Sequence, residues 1–330
     1  MRLPVLIACV SIFLHAGVRP ASAIDLETIS LPTTLRIGDP APDIGAADWI
    51  HPGTERPAQP LERFRPGTIY VIEFWATWCP HSREAIPLLA GLQKKHRRDV
   101  AILAIGVDSA DELRGFLTDG DPDVRALAEE AGTFCIAADP RGAVYESYMV
   151  AFMEAELPTA FIVGRSGLIE WVGHPLQIEE PLTKIVAGGW DRPAFAKEWT
   201  RRQAPKRTVD LALRLIAADA ADEAAAALDA FAADPETTPE GLNEFAWTVV
   251  LQSVYGRLPD LLLDAAQRAA AQSVARRPTD GNALDTLAHV LAVRGRLDEA
   301  IATQKKAVDL GGTEADTFRV YLRQLEAGRR

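Results

Sequence analysis

The sequence predicts an α/β domain with a partly parallel sheet, followed by a separate all-α domain. Up to about residue 190, runs of β-branched and aromatic residues alternate with stretches of helical spacing. Beyond Pro205 the chain becomes alanine-rich, with 11 alanines among the 18 residues from 216 to 233. A chain of 330 residues is also long enough to bury two cores. We therefore assign residues 24–200 to the α/β domain.

The elements of the α/β domain follow from hydrophobic periodicity. A buried strand is predicted at 68–75, a helix at 82–95, a second buried strand at 100–107, helices at 111–117 and 123–131, and a short strand at 135–138. A helix at 142–150 comes next, then a hairpin with strands at 159–163 and 168–172, and a closing helix at 178–186.

The second half contains small and apolar residues at the spacing of tetratricopeptide helix pairs. Leu284 and Ala300 fit this spacing, and Ala266 lies one 34-residue period before Ala300. The polar segment 201–207 is predicted to be a linker, and residues 208–330 a tetratricopeptide-like helical domain. A plain helical bundle stays open, because alanine-rich sequence matches helical repeats easily.

The first 23 residues predict a secretory signal peptide. A Met-Arg start precedes a short apolar run, and small residues lead up to a cleavage site after Ala23. The run is too short to span a bilayer, so we expect an exported, periplasmic protein without stable membrane insertion. The sequence Leu-Ile-Ala-Cys ending at Cys9 resembles a lipoprotein box. The apolar segment continues past Cys9, so we do not expect lipid anchoring there.

Composition excludes several classes of protein. With 46 acidic and 35 basic residues the net charge is −11, which argues against a general nucleic-acid binder. Three cysteines cannot form a disulfide scaffold, and removal of the signal peptide leaves only Cys79 and Cys135. The six histidines are scattered without metal-ligand spacing. We therefore expect no metal site and no cofactor.

The segment at 74–82, Phe-Trp-Ala-Thr-Trp-Cys-Pro-His-Ser, carries the clearest chemistry. A strand ends at Trp75 and a helix starts at or just after Cys79. A thiol at that position faces unpaired backbone N–H groups and the positive end of the helix dipole, both of which favour the thiolate. Pro80 suits the first helical position, and His81 adds a positive neighbour when protonated. Cys79 is therefore predicted to be reactive.

Residues 36–190 resemble the TlpA/ResA-type redoxins of the thioredoxin superfamily. The resemblance rests on the segment at 74–80, on Pro87, and on three further segments, at 37–43 (Ile-Gly-Asp-Pro-Ala-Pro-Asp), at 134–139, and at 157–163 (Leu-Pro-Thr-Ala-Phe-Ile-Val). It implies a thioredoxin-like fold with a cis peptide bond before Pro158. The backbone at Pro158 would lie beside Cys79 and receive an extended substrate segment.

The resemblance also implies roles for further residues. Glu73 would move protons for the active-site thiol, although a strand-end carboxylate satisfied by its neighbours stays open. Substrate contacts are expected from Pro80, Leu157 and Thr159. Trp75 and Trp78 are expected to frame the site, with substrate contact as the alternative. The segment at 171–175 is similar to a recurring redoxin segment, in which we expect His174 to be a turn residue.

One departure from the family limits the mechanism. The usual Cys-x-x-Cys is Cys79-Pro80-His81-Ser82 here. A Ser82 hydroxyl can hydrogen-bond a thiolate, but it cannot attack a mixed disulfide. Cys135 is expected to be a buried small hydrophobe. A resolving role for Cys135 and a disulfide with Cys79 stay open.

Three functions stay open from the sequence. In the first, Cys79 performs monothiol thiol–disulfide exchange with protein or small thiols, assisted by His81, Ser82, Pro158 and Glu73. In the second, the domain is a catalytically weak module that binds peptide, while the helical domain holds a protein partner. The third is a peroxiredoxin-like peroxidase, which would need a threonine where Ala76 stands.

Overall fold

The structure, a computed structural model, describes residues 35–45, 47–54 and 63–328. The predicted signal peptide, with Cys9, lies outside these ranges. The described residues up to Trp199 form one compact unit, and those from Thr200 onward form a second. None of the described helices is long and apolar enough to cross a membrane.

The first unit is built on a six-stranded sheet in the order β1-β4-β3-β2-β5-β6. The strands β2, β3 and β4 are parallel, whereas β1, β5 and β6 run antiparallel to their neighbours. This mixed sheet confirms the predicted thioredoxin-like α/β fold. In chain order the strands are β1 (Asp48–His51), β2 (Ile69–Trp75), β3 (Val100–Gly106), β4 (Cys135–Ala138), β5 (Thr159–Val163) and β6 (Ile169–Gly173).

Helices cover both faces of this sheet, and every residue of its central strands β2 and β3 is therefore buried. Val71 of β2 shares a core with Leu89, whereas its neighbour Ile72 shares the opposite core with Tyr148. The Leu89 face holds α1 (Pro80–Lys95), α2 (Ala110–Leu117), α3 (Pro122–Ala131) and α5 (Glu179–Ala187). The Tyr148 face holds α4 (Ala143–Tyr145), which continues as a π-helix over Glu146–Val150.

Helix α1 is positioned by its apolar stripe and by one buried amide. Ala85, Ile86 and Leu89 are buried against the sheet at helical spacing. The Gln93 side chain accepts from the backbone N–H of Ile102 at 2.8 Å and donates to the carbonyl of Val100 at 3.0 Å. These hydrogen bonds tie the end of α1 to the start of β3 and so fix where its N-terminus lies.

Two segments differ from the sequence predictions. Strand β1 was not predicted, because four partly exposed residues at a sheet edge show no buried-strand pattern. The predicted linker at 201–207 is helical and lies inside α6 (Arg192–Ala217), with Pro205 in the helix interior. Arginine, glutamine, lysine and alanine all have high helix propensity, so a polar composition did not indicate a break here.

The second unit is all-helical, as predicted. Beyond α6 it contains α7 (Ala221–Ala233), α8 (Pro239–Gln252), α9 (Asp260–Arg276), α10 (Gly281–Val293), α11 (Leu297–Leu310) and α12 (Ala315–Gly328). From α8 onward each helix packs on the next, and Ala266 and Ala300 are fully buried between them. A 3₁₀ turn at Ser253–Tyr255 follows α8. The assignment of these helix pairs as tetratricopeptide-like repeats stays a prediction.

Candidate active site

Cys79 lies between the carboxyl end of β2 and the start of α1. It is the N-cap residue of the helix, with extended backbone angles, and Pro80 occupies the first helical position. Its backbone N–H donates to Ala76 at 3.2 Å, and its carbonyl accepts from Arg83 at 3.1 Å. The Cys79 residue is 2% exposed. The thiol is therefore held at the positive end of the α1 dipole in a covered position.

The peptide bond between Leu157 and Pro158 is cis, as the family resemblance implied. The Sγ atom of Cys79 lies 3.8 Å from the carbonyl oxygen of Leu157, which is within the range of a thiol hydrogen bond. Pro158 is buried and leads directly into β5. The fold thus brings Cys79 to Leu157 and Pro158, which lie about 80 residues later in the sequence. All three are expected site residues.

The remaining residues expected to contact substrate lie in different surroundings. Trp78 is 49% exposed and Pro80 is also exposed, so both are accessible to a bound segment. The Thr159 hydroxyl is buried and donates to the carbonyl of Glu156 at 2.7 Å, so it shapes the turn before β5.

The burial of Trp75 fits the framing role better than the alternative of substrate contact. This residue is 1% exposed, and its ring packs edge-on against Phe116 with the centroids 5.5 Å apart. The last side chain of β2 points into the α1 face of the sheet, because alternate residues of a strand face opposite sides. Trp75 therefore supports the site from within the core.

Ser82 and His81 occupy the first turn of α1. The Ser82 side chain is fully buried, and its Oγ accepts from the backbone N–H of Ala76 at 3.3 Å. This hydrogen bond closes the loop that carries Cys79. The Nδ1 atom of His81 lies 3.6 Å from Oε2 of Glu84, and the His81 side chain is partly exposed. His81 is therefore positioned at the mouth of the site.

The loop before Cys79 is anchored by a carboxylate that sequence reasoning missed. Asp108 accepts from the backbone N–H and from the hydroxyl of Thr77, both at 2.9 Å. Arg83 donates from Nε to the carbonyl of Thr77. Asp108 lies two residues after the end of β3, and the ends of adjacent parallel strands meet at one sheet edge. The position of Asp108 just after a predicted buried strand was the sequence signal that could have indicated this anchor.

Glu73 lies on β2 beneath the α1 face of the sheet. In the sheet register it is flanked by Ala104 on β3 and Ala160 on β5, so no large side chain crowds it from either strand. The carboxyl group is buried, and its Oε1 has no hydrogen-bond partner among the described residues. Burial raises the pKa of Glu73 to about 8. The side chain therefore holds a proton at neutral pH.

Comparison with known proteins identifies the family. Residues 37–172 match the AhpC/TSA family. Protein FixW of Rhizobium leguminosarum is 26% identical over 193 residues, which cover 56% of this chain and 78% of FixW. A thiol:disulfide interchange protein DsbE homolog of Paracoccus denitrificans is 31% identical over 171 residues, which cover 50% of this chain and 82% of that protein. The thiol-disulfide oxidoreductase ResA of Bacillus thuringiensis is 27% identical over 157 residues, covering 46% and 79% of the two chains. This chain belongs to the TlpA/ResA-type thioredoxin-like redoxins.

Cys135 lies far from the active site of this redoxin. Of the described cysteines, Cys79 and Cys135 are not joined in a disulfide, and Cys135 Sγ lies 2.9 Å from the carbonyl oxygen of Pro52. Cys135 is in β4, two strands away from β2, which is a separation of about 10 Å. Its side chain joins the core on the face opposite α1. A disulfide requires Cα atoms within about 7 Å, so neither a disulfide with Cys79 nor internal resolution by Cys135 fits this arrangement.

The redoxin site has no cluster of metal ligands within the described ranges. No three histidine, cysteine, aspartate or glutamate side chains there are grouped so that they could hold an ion. The chemistry that these residues offer is therefore that of one thiol, a neighbouring imidazole, and a buried protonated carboxyl group.

Proposed function

We propose that this redoxin is an exported monothiol exchange protein whose reactive group is Cys79. The observation that carries the proposal is the position of the Cys79 thiol, at the N-terminus of α1 and against the carbonyl of Leu157, with a buried serine one turn later. Relatives named as thiol–disulfide oxidoreductases support the proposal that the substrates are thiols and disulfides.

The first step forms a mixed disulfide. The Cys79 thiolate attacks one sulfur of a substrate disulfide, the substrate S–S bond breaks, and the other substrate sulfur leaves with the electron pair as a thiolate. The backbone beside Pro158 holds the substrate segment. Glu73, protonated and buried beneath the sheet end, is a proton source and acceptor for the thiols as they change charge.

The second step requires a thiol from outside the protein. Ser82 has no sulfur, and Cys135 lies on the other face of the sheet. A second thiol of the substrate, or a small thiol, attacks the mixed disulfide, and Cys79 leaves as a thiolate. The net reaction is isomerisation when the substrate supplies the thiol. When a small thiol resolves the adduct, it forms a mixed disulfide with the substrate as Cys79 leaves. A second small thiol then attacks that disulfide, which gives the reduced substrate and the disulfide of the small thiol.

The peroxidase alternative has less support. Thr77 is the threonine nearest to the position that a peroxidase would use, and its hydroxyl donates to Asp108. Rapid consumption of peroxide by the purified protein would nevertheless favour that function over exchange.

Covalent trapping in cells tests the exchange function. Cells producing the tagged full-length chain are quenched with acid, alkylated and examined on non-reducing gels. We expect reductant-sensitive adducts with the wild type and with Cys135→Ala, and none with Cys79→Ala. If the wild type forms no adducts, the domain is a binding module. Sequencing the N-terminus of the mature protein tests cleavage after Ala23.

A protein partner for the helical unit is part of the same proposal. It is supported by the stacked helix pairs and by an exposed apolar turn, in which Val254 and Tyr255 are 61% and 86% exposed. Photo-crosslinking from position 255 of the full chain, with the exposed position 222 of α7 as the control, tests whether this turn contacts a protein.

A further inference from the structure

His174 lies at the edge of the proposed exchange site, although it is 95 positions from Cys79 in the sequence. Strands β5 and β6 pair antiparallel, with Ala160 opposite Gly173. Continuing this register by one residue places His174 level with Thr159, the residue that follows Pro158. Opposite residues of an antiparallel pair have Cα atoms about 5 Å apart. This register places the backbone of His174 near the backbone that is proposed to receive substrate.

Helix α1 approaches the same corner from the other side. The 3₁₀ turn Pro175–Gln177, which His174 caps, packs against α1. The titratable groups around His174 come from two elements. They are His81 and Glu84 on α1, and Glu156 in the turn before β5. Burial and the neighbouring His81 lower the pKa of His174, so the imidazole is neutral at physiological pH.

The tautomer of this neutral imidazole follows from its hydrogen bond. The backbone N–H of Leu176 donates to Nδ1 of His174 at 3.3 Å. With its Nδ1 lone pair engaged as an acceptor, the neutral ring carries its proton on Nε2. His174 thus offers one N–H donor from a ring that is held in place by its own turn.

We propose that His174 donates a hydrogen bond from Nε2 to the substrate sulfur that leaves when Cys79 attacks. This inference rests on the proposed exchange function. The attack forms the Cys79–S–S–R bond and breaks the R–S–S–R′ bond, and the electron pair remains on R′ as a thiolate. His174 itself transfers no proton, because the neutral imidazole only stabilises the developing negative charge. In the reverse direction the same donor positions the thiolate that resolves the adduct.

The leaving-group dependence of the rate tests this role. Purified protein reacts with two small disulfides, an aromatic one whose leaving thiol is weakly basic and glutathione disulfide, whose leaving thiol is strongly basic. His174→Ser keeps an acceptor for the Leu176 N–H but is too short to reach the substrate. We expect His174→Ser to slow the reaction with glutathione disulfide about tenfold, and to leave the aromatic disulfide almost unaffected.

Two controls separate a hydrogen-bond donor from a structural role. His174→Gln restores an N–H donor at a similar reach and should recover most of the rate with glutathione disulfide. Alkylation of Cys79 by iodoacetamide, which releases no thiolate, should proceed at the same rate in all three proteins. If His174→Ser slows the reactions with both disulfides equally, or slows neither, the role of His174 is overturned. The proposed exchange function is unaffected by that result. If the wild-type thiol reacts with neither disulfide, the proposed function fails instead.

Discussion

The Sγ atom of Cys79 lies 3.8 Å from the carbonyl oxygen of Leu157, so the reactive thiol and the backbone that precedes Pro158 form one site. The thiol comes from the start of α1 and the carbonyl from the turn before β5. Pairing of β5 with β2 brings these segments together. The same pairing flanks Glu73 with Ala160, directly below the strand end that leads to Cys79.

Glu73 makes the stability of the redoxin unit fall as the pH rises. Its pKa is 4.5 in the unfolded reference and about 8 in the buried site, so the folded state binds the additional proton between these values. The free energy of unfolding then decreases by about 1.4 kcal/mol per pH unit, or about 5 kcal/mol over this range. Glu73→Gln removes this dependence.

Urea unfolding at pH 4.5, 6 and 8 measures the effect of Glu73→Gln. We expect the variant to gain stability relative to the wild type as the pH rises. Glu84→Gln, at an exposed carboxylate on α1, is the matched control and should follow the wild type. Parallel pH profiles for Glu73→Gln and the wild type would contradict a buried proton on Glu73.

Asp108 fixes the loop that carries Cys79. Asp108→Ala removes two hydrogen bonds from Thr77 to a buried carboxylate. We expect a loss of about 3 kcal/mol in the free energy of unfolding, together with faster alkylation of Cys79 as its loop opens. Asp111→Ala, at an exposed residue on α2, should change neither quantity. Unchanged alkylation in Asp108→Ala would show that this anchor does not cover the thiol.

His289 is an uncharged histidine in the helical unit. Its ring stacks on Tyr321 with the centroids 3.4 Å apart, and Trp247 packs edge-on against it at 5.0 Å. Nε2 of His289 lies 3.6 Å from Asp285, yet burial dominates for both groups. It lowers the pKa of His289 to about 3 and raises that of Asp285 to about 6.

Nuclear magnetic resonance titration of the histidine ring protons checks this assignment. We expect the His289 resonance to show no protonation between pH 8 and pH 5. In Tyr321→Ala, which uncovers the ring, its midpoint should move up towards 6.5. A midpoint near 6.5 in the wild type would mean that the stacked ring is open to water.

Most of the sheet unit could be predicted from the sequence, because its strands are short apolar runs and α1 has a clear apolar stripe. Strand β1 lacks such a run. Residues 201–207 were predicted to be a linker because they are polar and contain Pro205, whereas their helix propensity determines the structure. Local composition therefore predicted most helices and strands of this unit, but it did not predict where the helix at its end stops.

The candidate site could be predicted where one segment carries the chemistry, as at Cys79 and Ser82. Pairing of β2 with β3 brings Asp108 to Thr77, 31 residues away, and pairing of β5 with β6 brings in His174, which is 95 residues from Cys79. The burial of Trp75 depends on which face of β2 it occupies, and no motif encodes that. Long-range pairing, which the sequence does not display, accounts for what was missed.

Replacing Ser82 with cysteine tests the monothiol mechanism most directly. Ser82→Cys places a second thiol three residues after Cys79, in the first turn of α1 and on the buried side of that helix. Wild type and variant are each mixed with glutathione disulfide and quenched with acid. The mass of each intact protein is then measured by mass spectrometry. We predict a single glutathione adduct on wild-type Cys79 that persists until a thiol is added. In Ser82→Cys the adduct should give way to an internal disulfide with release of glutathione. Loss of the adduct from the wild type without added thiol would contradict the account.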